Sequence, residues 1–327
     1  MPDGRWISQI RRLGRFITVT MSRRPIFLLA VLALIWGSSF LFIKVAVRDL
    51  PPSTLVAGRL GLAALVLAAV VPLLVGRGTV VRELRDHWRA LVVVGLVNMA
   101  VPFWLLSWGE TRIDSGLASI IQASVPIFVA LLAFGFFPAE RVTGRRLVGV
   151  AIGFVGVALL VGAQPHGKLL GALAVVGMAL CYAIAALLTR KHLQGARPQV
   201  IALGTISVAA LSMLPAGVAQ APSSLPGWKV LASIAVLGVV CTAFAFLVSY
   251  TIVARAGAGY ASLVTYLVPP VALFYGALFL GESIGVAAAV GLVLILGGVA
   301  LGTRPRRLGA GATVTSRLAG AAAESTS

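Results

Sequence analysis

Ser115 to Arg141 reads S-G-L-A-S-I-I-Q-A-S-V-P-I-F-V-A-L-L-A-F-G-F-F-P-A-E-R, and Ala258 to Ser283 reads A-G-Y-A-S-L-V-T-Y-L-V-P-P-V-A-L-F-Y-G-A-L-F-L-G-E-S. Gly116-Leu117-Ala118-Ser119 matches Gly259-Tyr260-Ala261-Ser262, and Val125-Pro126 matches Val268-Pro269 at the same offset. Glu140 matches Glu282 after the loss of one residue. Each stretch holds a run of about 20 uncharged residues, enough to cross a bilayer as a helix. Each also has a proline near its middle, which breaks the backbone hydrogen-bond ladder there. A duplicated, proline-interrupted membrane helix points to a site between two halves of a carrier.

The rest of the chain agrees with a membrane setting. Hydrophobic residues make up 59% of the 327 residues and charged residues 11%, whereas about a quarter of a soluble domain is charged. Mean hydropathy is +1.02. The net charge of +18 has the size of a nucleic-acid binder's. Its basic residues, however, lie in short loops and tails between apolar runs, where they orient a chain in a membrane. No nucleic-acid partner is expected. Cys181 and Cys241 both fall inside apolar runs and read as buried thiols packed as small apolar groups.

Ten apolar runs follow a basic tail of residues 1–25. They are 26–48, 52–75, 89–107, 115–137, 146–163, 169–189, 199–219, 229–252, 259–280 and 284–302. The N-terminal tail reads either as a basic amphipathic helix on the membrane surface or as a disordered segment ahead of Met21. Residues 303–327 read as a disordered tail. With the N-terminus in the cytoplasm and strict alternation, twenty-one Lys and Arg fall on the cytoplasmic side and four on the other. That asymmetry predicts both termini in the cytoplasm. Trp36, Lys44, Pro52 and Gly58 align with Tyr182, Arg190, Pro198 and Gly204 at one fixed offset. Gly156-Val157-Ala158-Leu159 aligns with Gly298-Val299-Ala300-Leu301. Five helices are therefore repeated, as 26–163 and 169–302. Five is odd, so the second copy enters the membrane upside down. The expected fold is an all-α integral membrane protein of ten transmembrane helices in two inverted five-helix repeats (5+5).

Trp36-Gly37-Ser38-Ser39-Phe40 with Ile43-Lys44, Arg59, the Gly116-to-Pro126 pattern with Glu140-Arg141, and Gly281-Glu282 stand in the order and spacing of a known family. Over about residues 25–303 the chain resembles the EamA-type, ten-helix members of the drug/metabolite transporter superfamily. Thr205 departs from the repeat, since nothing in the second half matches Arg59. The resemblance implies a 5+5 fold with a central cavity, in a family that exports amino acids, metabolites or drugs.

Other chemistries find little support. Gly162-x-x-x-x-Gly167-Lys168 approaches a phosphate-binding loop, but Leu169 stands where Ser or Thr would bind magnesium. His87, His166 and His192 lie in loops, and neither a His-Glu-x-x-His site nor an aspartate-rich motif occurs. No enzyme, cofactor or metal is expected. The expected partners are a small-molecule substrate and the bilayer of a plasma (inner) membrane, with the chain a monomer or a homodimer. Gly149-x-x-x-Gly153 and Gly298-x-x-x-Gly302 permit close helix contact, either at a dimer face or, as expected here, within each half.

The candidate substrate-binding residues are the polar, charged and aromatic side chains inside the spans. Trp36, Ser39 and Lys44 come from the first span, and Arg59 from the second. Asn98, Trp104 and Gln122 come from the third and fourth, Tyr182 from the sixth, and Tyr260, Thr265 and Tyr266 from the ninth. Lys44 and Arg59 would attract a carboxylate from an outer vestibule. Their structural alternatives are snorkelling for Lys44 and a link to backbone carbonyls for Arg59. Asp49, Glu110, Asp114, Glu140 and Glu282 all fall at span ends, which predicts facilitated export or exchange with at most weak pH dependence. A membrane scaffold or sensor without transport and a multidrug efflux carrier stay open as alternatives.

Overall fold

In lipid every backbone polar group must be satisfied internally, so apolar runs of this length close as helices. The structure, a computed structural model, describes residues 23–136, 144–162, 166–256 and 263–303. Among them all regular structure is helical. The helices are α1 (Arg23–Ala46), α2 (Pro52–Val75), α3 (Arg77–Asp86), α4 (Trp88–Glu110), α5 (Ser115–Gln122), α6 (Val125–Phe136) and α7 (Arg145–Gly162). After these come α8 (His166–His192), α9 (Pro198–Ala219), α10 (Trp228–Val253), α11 (Val264–Leu280) and α12 (Val286–Thr303). Seven of the ten runs form helices long and apolar enough to cross a membrane. Three shorter apolar helices, Leu147–Gly162, Val264–Leu280 and Val286–Leu301, occupy the other three. The chain is a multi-pass membrane protein. Of the expected tails, residues 1–22 and 304–327 lie outside the described residues, while 23–25 begin α1 and Thr303 ends α12.

The two halves pack with matching partners. Helix α1 lies against α10 and α11, and its counterpart α8 lies against α4, α5 and α6. Helix α2 packs on α9, and α7 packs on α12. Exchanging the halves maps this pattern onto itself. Bulky cores on both sides are closed by Leu32, Ile43, Leu55, Ile120, Met178 and Ile206, all essentially inaccessible.

The glycine motifs act differently from expectation. Gly298 sits on Gly149 and Gly153, so the close contact joins α12 to α7 across the two halves rather than within each. A Cβ added at Gly298 would lie 2.5 Å from Gly149 O and 2.6 Å from Gly153 N. The loop after the second run also forms a helix of its own, α3. Its Val80 and Glu83 turn inward, and Glu83 accepts a hydrogen bond from Arg197 N at 2.8 Å at the start of α9.

Candidate functional site

Proline placement decides where two of these helices open. Pro126 has no N–H to give to the carbonyl of Gln122, and the helix of the quoted stretch stops at Gln122 and restarts at Val125. Pro102 likewise withholds a donor from Asn98, and Leu96–Ala100 widens into a π turn. Helix α10 carries a longer π segment, Val236–Phe244, and α11 another at Gly276–Leu280. In α11 itself the chain stays helical through Pro269 and Pro270.

The broken helix, Leu96–Ala100 and Val236–Phe244 contribute to one central cavity of about 280 Å³. It is lined by Trp36, Ser39 and Phe40 from α1, Arg59 from α2, and Asn98, Met99, Phe103 and Leu106 from α4. Ser119, Gln122, Ala123 and Val125 come from the broken helix, Tyr182 from α8, and Cys241 and Phe246 from α10. Val264, Thr265, Val268 and Pro269 come from α11. Seven of the expected site residues meet here: Trp36, Ser39, Arg59, Asn98, Gln122, Tyr182 and Thr265.

Arg59 is 6% exposed and supplies the only charge among the lining residues. Its Nε donates to Thr242 Oγ1 at 2.9 Å, and Thr242 Oγ1 in turn donates to Leu237 O at 2.7 Å. Its guanidinium lies 4.2 Å from the centroid of the Phe103 ring. The two terminal nitrogens make no hydrogen bond to the described residues, so the fork is left to the cavity. The side-chain amides of Asn98 and Gln122 are likewise unpaired among the described residues. Ser39 and Ser119, by contrast, turn their hydroxyls to the carbonyls of Ile35 and Gly116 on their own helices. Trp36 meets Phe246 edge-on at 6.2 Å and completes an aromatic wall. No carboxylate lines the cavity. A polar fork beside aromatic walls suits a ligand with one anionic group and an apolar body.

Four expected site residues do not join this set. Lys44 does not line the cavity. Its Nζ donates to Glu110 O at 2.7 Å and Ile113 O at 2.8 Å, closing the end of α4. Trp104 turns away, donates from Nε1 to Ser53 Oγ at 3.1 Å and stacks on Trp108. Tyr266 packs against the main core. Tyr260 lies outside the described residues. Phe103, Phe246 and Thr242 were missed by sequence reasoning. Thr242 gave no signal, since a hydroxyl in an apolar run reads as ordinary helix-to-carbonyl bonding. Cys241 is a buried wall residue, whereas Cys181 is only half-buried.

The acids at span ends also differ from a simple interfacial picture. Glu282 accepts from Ser115 N at 2.8 Å, Ser115 Oγ at 2.8 Å and Gly116 N at 3.0 Å. It thus caps α5 with a carboxylate from the other half, where the helix dipole favours a negative charge. Glu110 stands at the end of its span, as the sequence implied, but it is 0% exposed, and neither carboxylate oxygen has a hydrogen-bond partner among the described residues. Trp88 and Trp228, at span ends, are more than half exposed, as belt residues are.

Comparison with known proteins gives a consistent picture. The EamA-like transporter family matches twice, at residues 23–162 and 169–304. A probable terminal-alkyne amino-acid exporter of Streptantibioticus cattleyicolor is 31% identical over 295 residues, covering 88% of this chain and 95% of its own. A probable amino-acid metabolite efflux pump of Salmonella typhimurium is 28% identical, covering 88% of this chain and 98% of its own. An uncharacterized transporter of Archaeoglobus fulgidus is 27% identical, covering 85% and 98%. One crystal structure superposes with a TM-score of 0.62 at 19% identity, over 86% of this chain and 97% of that one, and shares its fold.

Proposed function

Because this chain belongs to the EamA-like transporter family, we propose that it is a ten-helix, 5+5 secondary carrier that exports a small metabolite bearing a carboxylate. The substrate class is that of an amino acid or organic acid, amphipathic rather than purely polar. The observation that carries this reading is Arg59, the single charge of an otherwise apolar and amide-lined cavity, with its terminal nitrogens unpaired. Arginine offers a carboxylate two parallel donors. With no acid among the lining residues, the same cavity repels a quaternary ammonium ion. The names of two relatives, an amino-acid exporter and an amino-acid metabolite efflux pump, agree with this class.

The charge asymmetry of the loops supports termini on the cytoplasmic side of an inner membrane. The two family matches and the exchangeable packing of the halves support an inverted repeat, with alternating access around the fixed cavity. A solid interior would favour a scaffold, and a cavity stands there instead.

The test is a counterflow panel with the purified full-length protein in vesicles. It sets radiolabelled neutral amino acids and short apolar carboxylic acids against tetraphenylphosphonium and choline. Accumulation of at least one carboxylate-bearing probe and of neither cation is the expected outcome. Counterflow of the cations alone overturns the reading.

A further inference from the structure

Glu110 is a carboxyl group with no role in the cavity just described. It lies one helical turn beyond Leu106, a lining residue, and therefore on the same face of α4. It is fully buried, and neither oxygen accepts a hydrogen bond from the described residues. The donors around it are committed elsewhere. Lys44 Nζ gives its hydrogen bonds to the main-chain oxygens of Glu110 and Ile113. The Ser115 and Gly116 donors are held by Glu282. Arg59 gives Nε to Thr242 and leaves its terminal nitrogens to the cavity, which Glu110 does not line.

We propose that Glu110 is the proton-exchanging group of the carrier, and that its ionisation is coupled to release of the helix ends held by Lys44 and Glu282. This rests on the carrier reading above and adds an energy source to it. The charged and titratable groups facing Glu110 are Lys44 from α1, Arg59 from α2 and Glu282 from the turn before α12. Helix α8, packed along this part of α4, brings Lys168, which pairs with Asp114 at 3.9 Å, and Tyr182 in the cavity. Helix α5 brings no ionisable side chain.

A carboxylate buried without a donor is a costly state, because nothing replaces its lost water. To carry charge, Glu110 needs the Lys44 ammonium, which now holds two carbonyls, to turn towards its carboxylate, or needs the site to open to water. Either change loosens the junction of α4 and α5, where Glu282 ties one half to the other. The proton thus has different affinities for the closed and loosened arrangements, which is what couples a ligand to a conformational equilibrium. In the cycle a water on one side gives up a proton as the carboxyl O–H forms. The same O–H breaks to a water on the other side once the junction has moved, with no change of oxidation state. The expectation of weak pH dependence rested on acids standing at span ends, and Glu110 stands at such an end yet is buried.

The experiment compares the full-length protein with Glu110→Gln, which keeps the shape and removes the proton. Infrared difference spectra between acid and alkaline pH are expected to show a protonated-carboxyl band that the variant lacks. In a background free of Cys181 and Cys241, a cysteine replacing Asp114 is expected to react faster with an impermeant thiol reagent at alkaline pH, and only while Glu110 is present. With whichever carboxylate probe gives counterflow, a pH gradient should accelerate net transport by the parent and not by Glu110→Gln, while exchange without a gradient persists. A band unchanged by the substitution, or the same pH dependence of labelling in both proteins, overturns the proposal. The spectra and labelling need no substrate, so these failures are distinct from an empty counterflow panel, which would strike the carrier reading instead.

Discussion

Lys44 and Arg59 are the two cations set inside apolar spans of the same half, and in sequence they look equivalent. The structure gives them opposite tasks. Lys44 lies in the last turn of α1, close to where α4 ends, and its long stem carries a compact charge to two orphan carbonyls. Arg59 lies in the second turn of α2, away from any helix end. It uses one nitrogen to hold Thr242 and keeps its planar fork for the cavity. The contrast teaches that a buried cation is assigned by its neighbours' unsatisfied groups. Where a helix terminus is within reach, that terminus consumes the charge; where none is, the charge remains for a ligand.

The largest effect is expected at Arg59. Hydrogen bonds to charged groups contribute about 1.5–3 kcal/mol each. Loss of a two-pronged contact to carboxylate should therefore raise the KM of a carboxylate-bearing substrate by about 100-fold in Arg59→Gln. Arg59→Lys keeps the charge without the fork, and a rise of about tenfold is expected. Initial rates in vesicles, normalised to inserted protein, check both. Parent-like kinetics in the two variants would erase the distinction between Arg59 and Lys44.

The fold was legible because its signals are collective. Ten apolar runs and the repeated proline stretch point to the same all-helical membrane chain, and the described helices lie where those runs lie. The cavity was legible in part for the same reason: Trp36, Asn98, Gln122, Tyr182 and Thr265 are polar or aromatic at depth on helices marked by the repeat. What was hidden depends on rotation about a helix axis and on contacts between distant segments. Trp104 and Phe103 are adjacent in sequence, yet Phe103 faces Arg59 and Trp104 faces Ser53. Thr242 matters only because a π segment and Arg59 meet there. Glu282, read as half of a repeated motif, caps a helix 167 positions earlier in the chain.

A smaller effect, of a different kind, is expected at Lys44. Lys44→Met preserves the stem and strips two carbonyls at the end of α4 of their donor. A stability loss of about 2 kcal/mol follows, read as a lower melting temperature in detergent. The KM for a carboxylate should stay near the parent value, because the charge never faced the cavity. A KM increase matching that of Arg59→Gln, with melting unchanged, would return Lys44 to the site.

Trp104→Phe should produce the smallest change, and it tests the same division from the aromatic side. Trp104 and Trp36 are both tryptophans within spans and both were candidates for the site. Trp36 stands in the cavity wall against Phe246. Trp104 is turned out, with its indole N–H on Ser53 Oγ and its ring on Trp108. Phenylalanine keeps a ring for the stack and loses one neutral hydrogen bond, a change of about 0.5–1.5 kcal/mol. That group is half-buried and Ser53 can turn to its own helix, so the lower end of the range applies. Melting should fall by a degree or so, on the order of the shift expected for such a change in a chain this long. Transport should be unaltered across the panel. Trp36→Phe, in contrast, reshapes the wall that a ligand's apolar body would touch, and should change the ranking of probes by size while leaving their carboxylate requirement in place. If Trp104→Phe altered that ranking as much as Trp36→Phe does, the cavity would have to extend between α2 and α4 towards Ser53, and the boundary drawn through Phe103 would be in the wrong place.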